Sequence, residues 1–359
     1  MKAIVLAGGE GQRLRPLTQS RPKPLLPVAG RPCVDFVLRS LVNSGVREIV
    51  ITTAYMSDRL IRAIAEGLGY DASILYSFEG TPAGTAGSVK RVANFIDDTF
   101  VVAMGDVLVD LDVRPLIDFH RRRKSVATIA LTEVDDPTEY GIVGLGRDGR
   151  VEKFKEKPRP EEAFSKLVNA GIYVLEPEVL DLIPENTKFD FSKDVFPKVL
   201  AKGLALHGMK IEGVWVDIGR PKDLIRASME VIRREGREHR LLGQEPFGPA
   251  VVGKGLVLEP GVRLGGPLYL GADVRIGRNA VVEGACLYDG VVVESGATIR
   301  ESIVLEGTRV GKDSEVLDSV LSERCVIEEG AHLVGTIIGD GMTVKAHSRL
   351  EGATIAPPG

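Results

Sequence analysis

The feature that most limits the fold of this chain is a six-residue repeat of aliphatic side chains in its last hundred or so residues. Neither the helical period of 3.6 nor the strand period of 2.0 explains this spacing. A coil of three short strands does, because each strand turns one aliphatic side chain inward, and we expect about six coils of ~18 residues. The predicted inward positions are Leu258, Leu264, Leu270, Ile276, Val282, Val293, Ile299, Leu305, Val310, Val316, Val326, Leu333, Ile338, Val344 and Leu350.

This repeat resembles that of the left-handed parallel β-helix family. At ~1.5–3 kcal/mol for each buried aliphatic side chain, the inward ladder is the largest stabilising term that we expect in this region. Such a helix has flat faces and two open ends, each an unpaired sheet edge. These features favour contact with another subunit or domain, so we expect a homo-oligomer.

The first 220 or so residues have a different pattern, in which short apolar runs alternate with helical segments. The near-continuous apolar strands predict an α/β fold with a doubly wound, mainly parallel sheet covered by helices. The predicted strands are Ala3–Ala7, Glu48–Thr53, Ser73–Ser77 and Thr99–Met104, and the predicted helices are Val34–Ser44, Asp58–Leu68 and Ser88–Ile96. We therefore divide the chain into an α/β domain (1–221), a helical connector (222–249) and a repeat domain (250–359).

Composition excludes several classes of function. A net charge of -4 and a single Trp argue against a nucleic-acid binder that relies on basic charge or aromatic stacking. No apolar run approaches the ~20 residues that span a membrane, and no cleavable signal precedes the first strand. Cys33, Cys286 and Cys325 lack metal-ligand spacing and fit buried side chains in a reducing compartment, so we expect a cytoplasmic protein without membrane contact.

A glycine-rich run, Gly8–Leu25, follows the first predicted strand. Its glycines can expose backbone N–H groups, and Arg13 and Lys23 add positive charge, the latter fixed between two prolines. The run is not a P-loop, because no Gly-Lys-Ser/Thr follows. It is not a dinucleotide fingerprint either, because Leu14 stands where the third glycine belongs. A backbone cradle followed by fixed cations predicts a polyphosphate site.

The run, with its GGxGxRLxPLT and PKP elements, resembles the signature of the sugar-1-phosphate nucleotidylyltransferases. The resemblance covers the whole first region and implies a Rossmann-like nucleotidyltransferase fold. It also implies that Arg13 binds the leaving pyrophosphate and Lys23 the α-phosphate, as the catalytic residues. The nucleotide-binding residues that it implies are Leu6, Ala7, Gly8, Gly9, Gly11, Glu79, Pro82, Gly84 and Thr85.

Two further motifs match the family in order. Gly105-Asp106 ends an apolar strand, and the WVDIG motif contains Asp217, so the resemblance implies that these two acids bind Mg²⁺. This agrees with the preference of Mg²⁺ for one or two carboxylates plus phosphate oxygens. The EKP and NAGIY motifs imply the sugar-phosphate site, with residues Gly141, Glu156, Lys157, Asn169 and Gly171.

The resemblance implies nucleotidyl transfer from a nucleoside triphosphate to a sugar 1-phosphate. The motif order is most similar to the mannose-1-phosphate guanylyltransferases, and the Glu79 carboxylate could accept hydrogen bonds from guanine N1–H and N2–H₂ together. Thr81-Pro82-Ala83 departs from the common form of this loop. Glucose-1-phosphate thymidylyl-, uridylyl- and adenylyltransferases therefore remain alternatives.

Two other classes of function remain open. Hexapeptide acyltransferases share the repeat but need a histidine base, for which His332 and His347 are the candidates. A regulatory subunit without catalysis would be expected to lack Arg13, Lys23 or a metal acid, and all of these are present.

Overall fold

The computed structural model describes residues 1–67, 69–239 and 247–357, which form two compact units. One unit contains residues 1–10 and 33–217, and the other contains residues 11–32 and 218–359. The second unit thus combines most of the glycine-rich run with the C-terminal repeat. The domain division expected from the sequence, which followed chain order, stays a prediction.

The helices and strands alternate through the first two thirds of the chain. The strands are β1 (Lys2–Leu6), β2 (Pro27–Val28), β3 (Arg31–Pro32), β4 (Glu48–Thr53), β5 (Ser73–Phe78), β6 (Phe100–Met104), β7 (Val107–Asp110), β8 (Ala127–Glu133), β9 (Gly141–Leu145), β10 (Val151–Glu156), β11 (Leu167–Leu175), β12 (Leu206–Lys210) and β13 (Val214–Asp217). The α-helices are α1 (Cys33–Asn43), α2 (Ser57–Gly67), α3 (Gly84–Arg91), α4 (Arg114–Arg123), α5 (Phe196–Ala201) and α6 (Pro221–Glu235).

The first unit is built around a nine-stranded mixed sheet. Strands β5, β4, β1 and β6 lie side by side and run parallel. Strand β11 is antiparallel to β6 and joins this half to β8, β9, β10 and β12. Strands β7 and β13 form a separate antiparallel pair. The α/β class is confirmed, and the parallel half contains the four strands that the apolar runs predicted.

Helix α3 begins at Gly84, four residues before the predicted start at Ser88. The backbone N–H groups of Ala86 and Gly87 donate to the carbonyl of Phe189, at 2.9 and 3.0 Å. Donors in a first helical turn lack partners within the helix, so this distant carbonyl allows the helix to start earlier than the local sequence indicates. The predicted end of α2, Leu68, lies outside the described residues.

The second unit contains a parallel β-helix of three stacked sheets. Eighteen strands, β16 to β33, make the six coils that the repeat predicted, and β15 adds one strand to the first sheet. The strands are β14 (Arg237–His239), β15 (Phe247–Val252), β16 (Val257–Leu258), β17 (Arg263–Gly265), β18 (Leu268–Leu270), β19 (Arg275–Ile276), β20 (Val281–Glu283), β21 (Cys286–Leu287), β22 (Val292–Val293), β23 (Thr298–Arg300), β24 (Ile303–Val304), β25 (Arg309–Val310), β26 (Glu315–Leu317), β27 (Val320–Leu321), β28 (Val326–Ile327), β29 (His332–Val334), β30 (Ile337–Ile338), β31 (Thr343–Val344), β32 (Arg349–Glu351) and β33 (Thr354–Ile355).

The predicted helical connector is only partly helical. Helix α6 ends at Glu235, and β14 then pairs antiparallel with β15, which leads into the coils. Residues 240–246 of that connector lie outside the described residues.

The coil length expected from the repeat holds for the first turn only, and the later coils are one residue shorter. Val257 pairs with Arg275, an offset of 18, whereas Val292 pairs with Arg309, an offset of 17. One step of five residues therefore replaces a step of six in each later coil. The spacing of six alone does not show on which strand this shorter step falls.

Two predicted inward positions are wrong for this reason. The coil core contains Val304 rather than Leu305, and Ile327 rather than Val326. Ile327 is 1% exposed, whereas Val326 is 39% exposed on the outer surface. The other predicted inward positions belong to this core or pack against it.

Two expectations from composition can be compared with the model. All three cysteines are buried, as predicted. Within residues 1–67, 69–239 and 247–357, no helix combines the length and apolar character needed to cross a bilayer.

The neighbours Val326 and Ile327 give a matched test of the coil register. Ile327→Ala should lower the free energy of unfolding by about 2–5 kcal/mol, because it opens a cavity in a close-packed core. Val326→Ala should change it by less than about 0.5 kcal/mol, because Val326 is an exposed residue outside the coil core. Urea unfolding followed by circular dichroism measures both. A larger loss in Val326→Ala would mean that the register is shifted by one residue.

Candidate active site

The carboxyl ends of the parallel strands meet at one edge of the first unit's sheet. The Ala7 N–H donates to the Thr52 carbonyl at 2.9 Å, which ties the end of β1 to the end of β4. The Gly105 N–H donates to the Leu6 carbonyl at 2.8 Å, which ties in the end of β6. The ends of three neighbouring strands, two of which carry residues implied in binding, therefore lie at the edge where parallel sheets bind ligands.

The backbone after β1 is open where the glycine-rich run begins. A Cβ atom on Gly9 would meet no atom within 4 Å, and one on Gly8 would meet Ala54 and the Glu79 Oε2 atom at 3.7 and 3.8 Å. The Glu79 N–H donates to the Thr53 carbonyl at 2.9 Å, so the loop after β5 lies beside the end of β4. The structure thus brings Leu6, Ala7, Gly8 and Glu79 to one place.

Glu79 is buried with one carboxylate oxygen unsatisfied. Its Oε2 atom accepts a long hydrogen bond from the Ala83 N–H at 3.5 Å, whereas Oε1 has no hydrogen-bond partner among the described residues. The same holds for the hydroxyls of Thr52 and Thr53 at the end of β4. Buried polar atoms are nearly always hydrogen-bonded in native proteins. Three buried oxygen atoms without a hydrogen-bond partner among the described residues therefore indicate that a polar ligand completes the site at this edge.

The start of α3 is fixed by residues far along the chain. The backbone N–H and the hydroxyl of Thr85 both donate to Asp190 Oδ1 at 3.2 Å, and the same hydroxyl accepts from the Phe191 N–H at 2.9 Å. Gly84 has a φ of +74°, and a Cβ there would lie 2.6 Å from the Phe189 carbonyl oxygen. Through these contacts Gly84 and Thr85 fix the start of α3, directly after the loop that follows β5. Pro82, in that loop, is exposed.

The two predicted metal acids lie at the same end of the β7–β13 pair. Asp217 is paired with Val107, and Asp106 directly precedes Val107. Residues directly opposite each other in an antiparallel pair have Cα atoms ~4.5–5.5 Å apart, so the two carboxylates belong to neighbouring backbone positions. Asp110, at the far end of the same pair, is opposite Val214. The register therefore separates the predicted metal acids from this third aspartate.

These acids fit a metal that is only partly ligated by protein. No group of three or more His, Cys, Asp or Glu side chains suited to a metal ion occurs among the residues that the structure describes. Mg²⁺ usually takes one or two carboxylates and completes its octahedron with water and phosphate oxygens. Two neighbouring carboxylates at the end of a strand pair are the protein share of such a site.

Trp215 connects the strand that carries Asp217 to the NAGIY motif. Its indole N–H donates to the Ala170 carbonyl at 2.8 Å, and its ring lies edge-on to Tyr140, with centroids 5.6 Å apart. Ala170 lies between two of the predicted sugar-phosphate residues, Asn169 and Gly171. One side chain thus fixes strand β13 relative to the strand that carries that motif.

Gly141 and Glu156 face each other across strands β9 and β10. Gly141 pairs with Glu156 in the strand register. A Cβ on Gly141 would lie 2.8 Å from Glu156 Oε2 and 2.7 Å from the Phe154 ring. Because real Cβ atoms do not approach so closely, any larger residue at this position would displace the Glu156 carboxylate or the Phe154 ring. The next residue, Lys157, has a φ of +45° and donates its N–H to the Tyr140 carbonyl at 2.9 Å.

Glu156 lies in an environment that disfavours its charge. Burial raises the pKa of its carboxyl above the ordinary value, while nearby Lys157 and Lys193 and a hydrogen bond with Ser192 oppose that rise. Desolvation destabilises the charged carboxylate by more than the lysines and Ser192 stabilise it. A sugar hydroxyl could add a hydrogen bond to this carboxylate that solvent does not supply.

The amide of Asn169 is held within the protein. Its Nδ2 atom donates to the Tyr173 hydroxyl at 2.9 Å and to Ser192 Oγ at 3.0 Å, and its Oδ1 accepts from the Gly171 N–H at 2.9 Å. Gly171 has a φ of +74°, and a Cβ there would lie 2.6 Å from Met104 Cγ. The structure therefore brings four of the predicted sugar-phosphate residues (Gly141, Glu156, Lys157 and Asn169) around the 190–195 segment and the end of β10.

The second unit contains Gly11, Arg13 and Lys23. Arg13 lies on a 3₁₀ turn (Gln12–Leu14), and Lys23 begins another (Lys23–Leu25). Gly11 has a φ of +63°, and a Cβ there would lie 3.0 Å from Lys23 Cβ and 3.0 Å from Thr18 Cγ2. The Thr18 hydroxyl donates to the Gly11 carbonyl at 2.9 Å, which closes the segment on itself and buries Lys23.

Sequence reasoning missed several residues that support the site. Asp190 accepts a hydrogen bond from Thr85, and Ser192 accepts one from Asn169. The charge of Lys193 opposes the rise in the pKa of Glu156. These three residues lie on one π-helical segment, Phe191–Val195, or directly before it. In the sequence these residues belong to a short stretch, residues 189–195, in which polar side chains alternate with phenylalanine and valine. Such a stretch does not indicate which distant residues it will contact.

Comparison with known proteins identifies the family. The family described as nucleotidyl transferase matches residues 2–234, and the family described as GMPPB C-terminal domain matches residues 264–358. The chain belongs to the nucleotidyl transferase family. Members of this family typically use a divalent metal, in agreement with the carboxylate pair of this nucleotidyl transferase.

Several curated relatives cover most of this nucleotidyl transferase. A mannose-1-phosphate guanylyltransferase of Mycobacterium tuberculosis is 36% identical over 83% of this chain and 82% of its own length. A plant protein, mannose-1-phosphate guanylyltransferase 1 of Arabidopsis thaliana, is 32% identical over 99% of this chain and 96% of its own. A UTP–glucose-1-phosphate uridylyltransferase of Synechocystis is also 32% identical, over 85% and 87%.

A solved structure is similar to part of the chain. The crystal structure of HddC from Yersinia pseudotuberculosis, complexed with GMP-PN, has a TM-score of 0.56 and 27% identity. The matched region covers 64% of this nucleotidyl transferase and 99% of the HddC chain.

Proposed function

We propose that this nucleotidyl transferase joins a nucleoside triphosphate to a sugar 1-phosphate, and that its substrates are GTP and mannose 1-phosphate, giving GDP-mannose and pyrophosphate. The observation that carries the proposal is the register of β7 and β13, which sets Asp106 and Asp217 at one end of a strand pair. Relatives named for guanylyl transfer to mannose 1-phosphate, which span up to 99% of this chain, support the choice of substrates.

The reaction is an in-line displacement at phosphorus. A phosphate oxygen of the sugar 1-phosphate attacks the α-phosphorus, a new P–O bond forms, and the α–β bridging bond breaks. Its electron pair leaves with pyrophosphate. The attacking phosphate is already ionised near pH 7, so the step needs no general base. Catalysis then depends on holding the two phosphates in line and stabilising the charge that develops on the leaving group.

Arg13 and Lys23 would supply the positive charge for this step. A lysine ~4 Å from a phosphate contributes about 4 kcal/mol at an effective dielectric constant near 20. Lys23 is suited to that task, because it is buried and its backbone is fixed between Pro22 and Pro24. The planar guanidinium of Arg13 suits the oxygens of pyrophosphate, to which it can donate two parallel hydrogen bonds.

Asp106 and Asp217 would hold Mg²⁺. When bound, the ion would neutralise charge on the triphosphate and orient its oxygens. The fit rests on the two neighbouring carboxylates, which leave most coordination positions to phosphate and water.

Glu79 is the residue that we propose for reading guanine. Its buried Oε1 atom has no partner among the described residues, and Oε2 accepts only one long hydrogen bond. Guanine presents two adjacent donors, N1–H and N2–H₂, that a carboxylate can accept together. Uracil offers one such donor, N3–H, and adenine offers no adjacent pair. The open backbone at Gly8 and Gly9 beside it leaves space for the nucleotide.

The sugar phosphate would be held by the residues around strands β9, β10 and β11. Lys157 would bind the phosphate, the Gly141 backbone would cap the ring, and Glu156 and Asn169 would bond the sugar hydroxyls. The side-chain amide of Asn169 donates to Tyr173 and Ser192, and its oxygen accepts from the Gly171 N–H, so this side of the site is ordered before substrate binds.

A second candidate function is uridylyl transfer to glucose 1-phosphate. The Synechocystis relative, which is named for that activity, matches 85% of this chain at 32% identity. Acyl transfer has no such support. His332, one of its two candidate bases, lies 2.5 Å from Glu315 on the neighbouring coil, and His347 has a φ of +58° in a turn.

We also propose that the protein is a homo-oligomer and acts in the cytoplasm. The flat faces and open ends of the β-helix support self-association, and three buried cysteines fit a reducing compartment. A monomer in light scattering at high concentration would contradict the first part.

Glu79→Gln tests the substrate choice. The wild-type protein should release pyrophosphate fastest from GTP with mannose 1-phosphate among GTP, UTP, dTTP and ATP, each paired with mannose and glucose 1-phosphates. The variant should lose about a hundredfold or more in kcat/KM for GTP, because a donor replaces an acceptor opposite guanine. Its activity with UTP should change much less. A wild-type preference for UTP or dTTP would overturn the guanine assignment.

Asp217→Asn tests the metal assignment, with Asp110→Asn as a matched control on the same strand pair. We expect pyrophosphate release by Asp217→Asn to fall at least about a hundredfold, since the amide is a poor ligand for Mg²⁺. Asp110→Asn should retain near-normal turnover. Near-normal turnover of Asp217→Asn with Mg²⁺ would show that the metal binds elsewhere.

A further inference from the structure

The segment that contains Arg13 and Lys23 packs against the β-helix in the second unit. A Cβ on Gly339 would lie 3.1 Å from Pro16 Cβ. Further along the segment, the Gly30 N–H donates to the Tyr288 hydroxyl at 3.3 Å, and a Cβ on Gly30 would lie 2.5 Å from the Tyr269 ring. The β-helix therefore contacts the chain on both sides of Lys23, at Pro16 within the glycine-rich run and at Gly30 after it.

Arg21 makes the charged contact between these two contact points. Its guanidinium forms an ion pair with Glu323 and lies 3.7 Å from Glu306 Oε2. The Arg21 side chain is only 19% exposed. The Glu306 Oε2 atom is buried and has no hydrogen-bond partner among the described residues. The Arg21 guanidinium, 3.7 Å away, therefore provides charge that stabilises this carboxylate oxygen.

The two glutamates belong to an acidic ladder on one corner of the β-helix. The ladder consists of Asp289, Glu306, Glu323 and Asp340, which occupy equivalent positions in four successive coils. Backbone hydrogen bonds stack them: the carbonyls of Asp289, Glu306 and Glu323 accept from Gly307, Arg324 and Gly341 in the next coil, at 2.8–2.9 Å.

Stacked coils place like charges close together. Neighbouring strands lie ~4.8 Å apart, at which distance two carboxylates repel. Asp289 and Asp340 accept hydrogen bonds from Ala272 and Ser322. Glu306 and Glu323, in the middle, share one arginine from outside the coils. The β-helix therefore presents an anionic corner whose middle pair meets Arg21 from outside the coils, while Glu323 Oε2 also lies 3.5 Å from Arg324 of its own coil.

Only Pro22 separates Arg21 from Lys23. Pro22 has a φ of -64°, and Lys23 begins a 3₁₀ turn in which the N–H groups of Leu25 and Leu26 donate to Pro22 and Lys23 at 2.8 and 3.0 Å. A fixed proline and a hydrogen-bonded turn leave little freedom between the two side chains. A displacement of Arg21 would therefore move Lys23.

We propose that Arg21 is a positioning residue, through which Glu306 and Glu323 of the β-helix fix the turn that presents Lys23. The proposal rests on the proposed function in so far as Lys23 contacts the triphosphate. The β-helix is then part of the support of the catalytic machinery, in addition to any role in assembly.

Hydrogen exchange of the Leu25 and Leu26 amides gives a test that does not require substrate. Exchange should be at least about tenfold faster in Arg21→Gln and in the double variant Glu306→Gln/Glu323→Gln, because the turn loses its support. The matched control is Arg309→Gln, which removes an exposed ion pair with Glu294 elsewhere on the coils. The control should exchange like the wild type.

Kinetics then separate positioning from direct contact. Arg21→Gln and the double glutamate variant should each lower kcat by about tenfold to a hundredfold, since a small misplacement of a catalytic group is costly. The KM for sugar 1-phosphate should stay within about twofold, since these residues lie outside the proposed sugar site. The triple variant should be no slower than Arg21→Gln, because all three side chains act through one contact.

Two outcomes would overturn the proposal. Exchange and kcat that stay at wild-type values in both variants would show that the ion pairs do not support the turn. A loss of kcat in Arg21→Gln alone, with unchanged exchange, would show that Arg21 acts on the substrate itself. Faster exchange in both variants of a protein whose wild type turns over no triphosphate would refute the proposed function while leaving the support of the turn established.

Discussion

The antiparallel pairing of β7 with β13 is the contact on which the candidate active site depends most. It joins Asp106 and Asp217, which are far apart in the chain, through a register of only four residue pairs. A slip of one residue would turn every side chain of β13 to the opposite face and separate the two acids. The hydrogen bond from the Trp215 indole to the Ala170 carbonyl opposes such a slip, because turning Trp215 to the other face of β13 would break it. The same contact that secures the proposed metal acids therefore also fixes the strand that carries the proposed sugar-phosphate motif.

Much of the first unit could be predicted because its signals are local. An apolar run that ends in glycine or aspartate marks the end of a buried parallel strand, and such ends meet at one edge of a sheet whatever the intervening chain does. The hydrogen bonds of Ala7 and Gly105 at that edge follow from this rule. The supporting residues Asp190 and Ser192 could not be predicted in the same way. Their partners, Thr85 and Asn169, are distant in sequence, and a short polar segment carries no sign of which strand it will meet.

The β-helix shows the limit of a periodic signal. Fifteen aliphatic positions are more than enough to identify the coils, and the structure contains the six that were predicted. The number of residues in each coil cannot be predicted in the same way. Where two aliphatic residues are adjacent, a step of five residues and a step of six both place one of them inward. Val326 and Ile327 are chemically similar neighbours, so hydrophobicity alone cannot decide which one points inward. Strand pairing decides it, through an offset of 17 between successive coils.

That offset also explains why the acidic ladder is not apparent from the six-residue repeat. Glu306 and Glu323 look unrelated when every coil is counted as three steps of six, since they then fall on different positions of the triangle. With one step of five in each coil they occupy the same corner, and their charges must be considered together. Two stacked carboxylates next to a chain segment with an available arginine form a specific contact, and Arg21 fills that role within the second unit. The resemblance of the glycine-rich run predicts which phosphates its cations contact, whereas the coil length indicates what we propose to hold one of those cations in place.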